Sequence, residues 1–204
     1  MATPPAVDLT LGRGQPIRLR LAVPEDRAAL EAGFAHLSDD ARYTRFFTAM
    51  PKLSGRMLGH LTDLDGQYRL AIAAFDPSRP SEVGSDDGFG VAVARFIRPA
   101  DDQSGRAELA ISIIDEYHGV GLGTVLMTSL VMAAQRNGLA VLGAYVLRTN
   151  RGMTQLLRRF GAAEVAIDSP EASVAYYELA VATALDAAEV GPSLVRALEP
   201  ILAE

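Results

Sequence analysis

The chain has no cysteine. That absence excludes disulfides, thiolate metal sites and a cysteine nucleophile, so acyl chemistry through a cysteine-linked acyl-enzyme is impossible. The three histidines, His36, His60 and His118, lack ligand spacing, and no zinc site or other metal is expected. No apolar run reaches the roughly 18 residues of a membrane span. The opening MATPPAVDLT has no basic region ahead of a long apolar stretch, as a secretory signal would. A cytoplasmic protein with no membrane partner is expected. Lysine is nearly absent as well: the nineteen basic residues are Lys52 and eighteen arginines, and the net charge is −6. An acidic chain is a poor partner for nucleic acid. The arginine bias fits genomic base composition, although a guanidinium fork also suits phosphate contacts.

What is present reads as one globular domain with appendages: 204 residues, 49% hydrophobic and 22% charged. Residues 1–14 are expected to be a flexible lead-in. QPIRLRLAV (15–23) alternates apolar and basic residues, the period of a half-buried strand. Pro24-Glu25-Asp26 opens a helix over 25–37, Ser38 caps a second, and a third covers 54–62. Strands are expected at 68–76, 88–98 and 106–114, the last two forming an antiparallel hairpin. The Pro/Ser/Gly/acid stretch 77–88 reads as a mobile loop. A helix at 121–137, a strand at 139–147, a helix at 150–160 and short strands at 163–168 and 173–180 complete a domain over 15–180. Leu194, Leu198, Ile201 and Leu202 give the segment 181–204 helical apolar spacing. It is expected to pack on the domain or on a second subunit, the latter implying a homodimer. The class is α+β, a mixed, mostly antiparallel sheet flanked by helices.

The most informative segment is Asp115-Glu116-Tyr117-His118-Gly119-Val120-Gly121-Leu122-Gly123-Thr124, running from strand to helix. A glycine-rich turn at a helix N-terminus presents unpaired N–H groups and a positive dipole end, an anion site that needs no charged side chain. A Walker loop would end in Gly-Lys-Ser/Thr, and there is no lysine here. The dinucleotide fingerprint fails too: its sixth place is Thr124 counted from Gly119, and Leu126 counted from Gly121. His118-Gly119-Val120-Gly121-Leu122-Gly123 instead resembles the GNAT acetyltransferase signature Gln/Arg-x-x-Gly-x-Gly/Ala, with histidine in the first place. A GNAT fold and binding of acetyl-CoA follow from that resemblance, with the turn from His118 to Thr124 gripping the coenzyme pyrophosphate. Asn150 opens a helix ending Phe160-Gly161. This is similar to the second GNAT signature, which implies that its side chain approaches the thioester end; an ordinary helix N-cap is the plainer reading. The resemblance also implies that the strand around Ile113 and Ile114 donates N–H groups to pantetheine and the acetyl carbonyl.

Acetyl transfer to an amine needs a base, because a lysine ammonium has a pKa of roughly 10.4. A carboxylate raised by burial is suited to that task. Glu108 is the candidate: strand alternation puts Glu108, Ala110 and Ser112 on one face and Leu109, Ile111 and Ile113 on the other. A solvated carboxylate on a strand face is the alternative reading. Arg18-Leu19-Arg20 with Pro24-Glu25-Asp26, Arg42-Tyr43-Thr44-Arg45-Phe46-Phe47 and Arg106-Ala107-Glu108-Leu109-Ala110 resemble a narrower group, the bacterial protein lysine acetyltransferases that silence acyl-CoA synthetases. That likeness spans about residues 15–180. It implies Glu108 as general base and an acyl-CoA synthetase or another protein lysine as acceptor. An upstream cyclic-nucleotide domain, which some members carry, is not expected. Where many GNAT enzymes place a tyrosine to protonate the departing thiolate, this chain has Leu157. Tyr145 or Tyr117 could take the task, or the thiolate, from a thiol of pKa about 8.5, leaves unassisted. A small amine as acceptor and a noncatalytic acyl-CoA-binding module remain as alternatives, and Arg42 and Arg45 read as surface ion-pair formers, with contact to an acidic protein surface as the other reading.

Overall fold

The computed structural model describes residues 4–48, 50–99, 101–167 and 172–202. β1 (Ala6–Thr10) is an edge strand paired antiparallel with β2 (Pro16–Leu21), Ala6 opposite Arg20 and Thr10 opposite Pro16. This corrects the flexible lead-in expected at 1–14. AVDLT alternates like any half-buried strand, sending Val7 and Leu9 against the core while Asp8 pairs with Arg18 at 2.8 Å. On β2, Ile17 and Leu19 are completely buried, and so, against the simple alternation, is Arg20. Its guanidinium bonds both carboxylate oxygens of Asp26 at 2.7 Å and Asp87 at 2.9 Å. Asp87 belongs to the acidic loop expected to be mobile, and this buried ion triad pins that loop to the sheet.

α1 (Arg27–Ala35) follows a 3₁₀ turn at Pro24–Asp26. α2 (Asp39–Phe46) and α3 (Gly55–Thr62) each start on a serine: Ser38 Oγ accepts from the Ala41 N–H and Ser54 Oγ from the Met57 N–H, both at 3.2 Å. The chain then lays down β3 (Arg69–Asp76), β4 (Phe89–Ile97) and β5 (Arg106–Ile113) as an antiparallel meander. α4 (Leu122–Arg136), β6 (Val141–Leu147), α5 (Arg151–Arg159), β7 (Ala163–Val165) and β8 (Val174–Ala180) follow. The far end of the strand expected at 163–168 lies outside the described residues. α6 (Ala184–Ala187) and α7 (Pro192–Leu198) lead into a 3₁₀ turn over Glu199–Leu202. Leu198 and Ile201 are fully buried, α7 packs on α4, and the last turn packs on β1 and β2. The C-terminal segment therefore seals the chain's own domain.

The eight strands lie in the order β1-β2-β3-β4-β5-β6-β8-β7. Every neighbouring pair is antiparallel except β5 and β6. This parallel pair holds only at Arg106 with Val141, Ala107 with Leu142 and Glu108 with Gly143. Beyond Glu108, β5 stays with β4 and β6 stays with β8, so the two strands part. A fork opens in the middle of the sheet, with Glu108 at its apex. Under the fork runs α4, almost wholly buried, its Leu122, Leu126, Met127 and Leu130 at zero exposure.

Candidate active site

The fork widens into a cleft of about 980 Å³ lined by β5 from Glu108 to Ile113, by Ala144–Val146 of β6, by the glycine-rich turn and by the start of α5. The turn is built so that its side chains anchor it and its main chain faces out. Val120 and Leu122 are buried at 5% and 0% exposure. The Val120 carbonyl accepts from the Gly12 N–H at 3.1 Å, which ties the turn's back to the β1–β2 connection. Gly119 and Gly121 adopt φ of 72° and 96°, the left-handed region that glycine enters without penalty. A Cβ on either would meet nothing within 4 Å, so both are glycine for backbone conformation, with open space before them. The N–H groups of Gly119, Gly121, Leu122, Gly123 and Thr124 have no acceptor among the described residues. With Val120 the run holds six N–H groups without an acceptor, four of them on residues that line the cleft, and at the start of a fifteen-residue helix they make a cradle suited to an anion.

His118 does not reach into that cradle. Its Nε2–H donates to the Ile113 carbonyl at 3.0 Å, leaving Nδ1 4.0 Å from the Asp115 carboxylate. Thr124 Oγ1 accepts from Arg159 Nη1 at 3.2 Å, and Arg159 and Arg151 both line the cleft. Neither arginine stood out in the sequence, since each sits among ordinary helix surface residues.

The expectation at Ile113 and Ile114 divides. The Ile114 N–H is spent on the Val91 carbonyl at 3.0 Å and the residue is buried, so it cannot donate to a ligand in the cleft. That is a correction, and its cause is strand alternation: if Ile114 points its amide at β4, Ile113 points away from β4 and into the fork. The Ile113 side chain packs against Gly123, 3.6 Å from where a Cβ would stand. Asn150 caps α5, its Oδ1 accepting from the Met153 N–H at 3.0 Å. It also lines the cleft, and its side-chain NH₂ has no acceptor among the described residues. Both readings of that residue are compatible.

Glu108 lines the cleft on the same face as Ala110 and Ser112, as the alternation predicts, but it is exposed and not buried. Its carboxylate is felt by Arg45 and Arg95, whose charged forms it favours. Arg42 is no surface ion-pair former alone. Besides a 3.5 Å contact to Asp39, it donates to the Ala35 carbonyl at 2.9 Å and stacks over Phe34. Leu157 is fully buried in the core, so nothing at that position could serve the cleft. The Tyr117 hydroxyl is committed to Asp76; burial pushes the phenol up and the neighbouring carboxylate pushes it further. Tyr145 is different. It is 47% exposed in the cleft, stacked on Tyr176 at 4.8 Å, with no hydrogen bond on its hydroxyl among the described residues.

Residues 17–163 match the family described as acetyltransferase (GNAT) domain. The chain belongs to the GNAT acetyltransferases. An acetyltransferase of Pseudomonas aeruginosa is 29% identical over 154 residues, 74% of this chain and 77% of that protein. The acetyltransferase Pat of Mycolicibacterium smegmatis is 28% identical over 157 residues, 76% of this chain but only 44% of its own length. Among solved structures, the GNAT domain of S. lividans PAT superposes with a TM-score of 0.74 at 25% identity, covering 86% of this chain and 96% of that one. The fold is shared more distantly by yncA of Salmonella typhimurium, solved with its cofactor acetyl-CoA, at TM-score 0.61 and 16% identity over 81% of this chain and 94% of that one. This GNAT enzyme is thus an N-acetyltransferase with an eight-stranded mixed sheet. Among the described residues no helix is long and apolar enough to cross a membrane.

Proposed function

We propose that this GNAT enzyme moves an acetyl group from acetyl-CoA to a protein lysine, by direct attack of the amine with Glu108 as general base. The observation that carries the reading is the fork: one cleft holds an amide cradle at one end and, at the apex between β5 and β6, a carboxylate. Its likeness to two proteins named Pat or PAT supports a protein acceptor such as an acyl-CoA synthetase. Such substrates put the reaction in the cytoplasm, the compartment we assign.

The residues present fit the coenzyme. Free N–H groups from Gly119 to Thr124 suit a pyrophosphate, and the β5 edge at Ile113 and the Asn150 amide suit the pantetheine arm and its thioester end. When bound, acetyl-CoA supplies an acyl carbonyl already activated by its thioester. Glu108 takes the proton from the lysine ammonium, directly or through a water in the open cleft. Ala110 and Ser112 leave the space beside it for the amine. Tyr145 is the hydroxyl we assign to protonate the departing sulfur, because Tyr117 is already engaged.

Glu108→Gln tests the assignment. Acetyl-CoA affinity should change by no more than about twofold while turnover at pH 7 falls about 10²-fold or more. Unchanged turnover removes Glu108 from the chemistry. Running a purified acyl-CoA synthetase against a panel of polyamines, amino acids and aminoglycosides tests the acceptor; preference for a small amine overturns the protein-lysine reading.

A further inference from the structure

Beside the base stands a pair of cations that the protein leaves unsatisfied. Arg95, in the otherwise apolar strand β4, is only 6% exposed, makes no side-chain hydrogen bond or ion pair among the described residues, and has a buried Nη2 without a partner. Arg45, in the last turn of α2, also has no oxygen partner among the described residues; its specific contact is the Phe46 ring at 5.0 Å. Burial, and then the nearby Arg95, pushes Arg45 down to about 10. Burial lowers Arg95 as well, against the pull of Glu108. Two other partly buried arginines are provided for, Arg20 by Asp26 and Asp87 and Arg69 by Asp63 and Asp65, whereas Arg98, like Arg95, keeps a buried nitrogen without a partner among the described residues and rests on the Tyr68 ring.

Glu108 is the one carboxylate whose field reaches both. It is a diagonal neighbour of Arg95, since Arg95 faces Ala110 and Glu108 faces Ile97 across the β4–β5 ladder. Yet it acts on both only at a distance, with no ion pair to either among the described residues. Two positive charges against one negative leave a single positive charge uncompensated, and the burial of Arg95 makes that expensive. There is room for the remedy. A second cavity of about 90 Å³ lies between β3, β4 and the helices α1 to α3, with mostly apolar walls. Arg45, Ala110 and Ser112 line both it and the main cleft.

We infer that Arg45 and Arg95 form a carboxylate subsite at the acceptor end of the cleft, so that the preferred amine carries a carboxylate close to its nitrogen. A carboxylate matches the guanidinium fork in shape and the residual charge in magnitude. A phosphate dianion would overshoot that charge and stand close to Glu108. The coenzyme's own phosphates have their cradle at the other end. That an amine arrives here rests on the function proposed above; binding of a carboxylate does not.

The test uses the full chain loaded with coenzyme A, titrated calorimetrically with butyrate and with butyramide. Butyrate should bind at least about tenfold more tightly, a difference of about 1.4 kcal/mol. Arg45→Gln and Arg95→Gln should each erase the preference while coenzyme affinity is kept. If Arg95→Gln does not fold, Arg45→Gln at the end of α2 decides alone. Equal affinity for the two probes overturns the subsite, as does a preference that survives the substitutions. The kinetic arm compares lysine peptides bearing glutamate or glutamine beside the lysine, together with free amino acids. Acidic peptides favoured at least about tenfold in kcat/KM support the subsite and a protein source; free amino acids favoured support the subsite and sink the protein-lysine reading. Neutral and acidic peptides used alike, with no butyrate preference, sink the subsite and leave that reading standing.

Discussion

Gly121 and Gly123 sit two residues apart in the turn and are glycine for different reasons. Gly121 has φ of 96° with nothing near a Cβ, so a side chain there costs backbone strain alone. Gly123 is helical, and a Cβ would stand 3.4 Å from a Leu156 methyl, tight but adjustable. Gly121→Ala should lose about 1–2 kcal/mol of stability and weaken acetyl-CoA binding, because relieving the strain turns the amides away from the cradle. Gly123→Ala should keep most of both. Thermal unfolding and coenzyme titration on the two variants read the difference, and equal losses would mean that the turn's conformation is not what holds the coenzyme. The tyrosines separate in the same way. Tyr117→Phe deprives Asp76 of a buried donor and should cost about 1–3 kcal/mol, raising KM for acetyl-CoA with little effect on kcat per folded molecule. Tyr145→Phe should leave stability within about 0.5 kcal/mol and slow turnover, most with acyl donors whose thiol has a raised pKa and leaves less readily unprotonated. A variant at Tyr145 with parental turnover would mean that the thiolate leaves without help.

At the scale of elements, local periodicity carried far. The helix expected at 121–137 spans Leu122–Arg136, and the hairpin expected from 88–98 and 106–114 is β4 with β5. Glycine, alternation and capping residues act within a few positions of themselves, so they can be read from a string. What stayed hidden is non-local. The fork depends on where β5 and β6 stop pairing, and the Arg20–Asp87 contact closes 67 residues of chain. Arg45 looked like surface because a short polar helix gives no sign of what covers it, although an arginine inside FGVAVARFI was a signal for Arg95. β1 was a misreading of a legible pattern, since AVDLT alternates plainly. The C-terminal elements carry a prediction of their own. Ala184, Leu198 and Ile201 are fully buried against α4 and the first hairpin. Burial of two such aliphatic side chains is worth about 3–6 kcal/mol, much of the stability of a typical domain. A chain ending at residue 182 should therefore unfold or aggregate at ambient temperature, read by thermal melting and dye binding to exposed apolar surface. A soluble truncated protein with the parental melting point would show the segment to be an appendage after all.

For the molecule as a whole, acid is the revealing stress. Hydrogen bonding from Arg18 holds Asp8 below the ordinary carboxylate value. At Asp65 and Asp76 burial alone would push the carboxyl up, but it is outweighed, by the N–H groups of Arg69, Gln67 and Tyr68 in one case and by Ser78, Tyr117 and Arg79 in the other. Each of these groups binds protons less readily folded than unfolded. Their contribution is complete above the unfolded value of about 3.9 and is lost as pH falls through the lower folded values. Unfolding free energy from urea titrations should thus fall between about pH 5 and pH 2, and Asp76→Asn should show where part of that slope comes from. The gap between parent and variant should be widest above pH 5 and close toward pH 2; a constant gap would mean that Asp76 acts through packing and not charge. Asp76 also holds Tyr117, which stands at the head of the glycine-rich turn proposed to seat the coenzyme. Protonating Asp76 removes that anchor's charge, so KM for acetyl-CoA should rise on acidification before the fold is lost. The same buried carboxylate then links the acid limit of the domain to the acid limit of coenzyme binding, and the two should move together in Asp76→Asn.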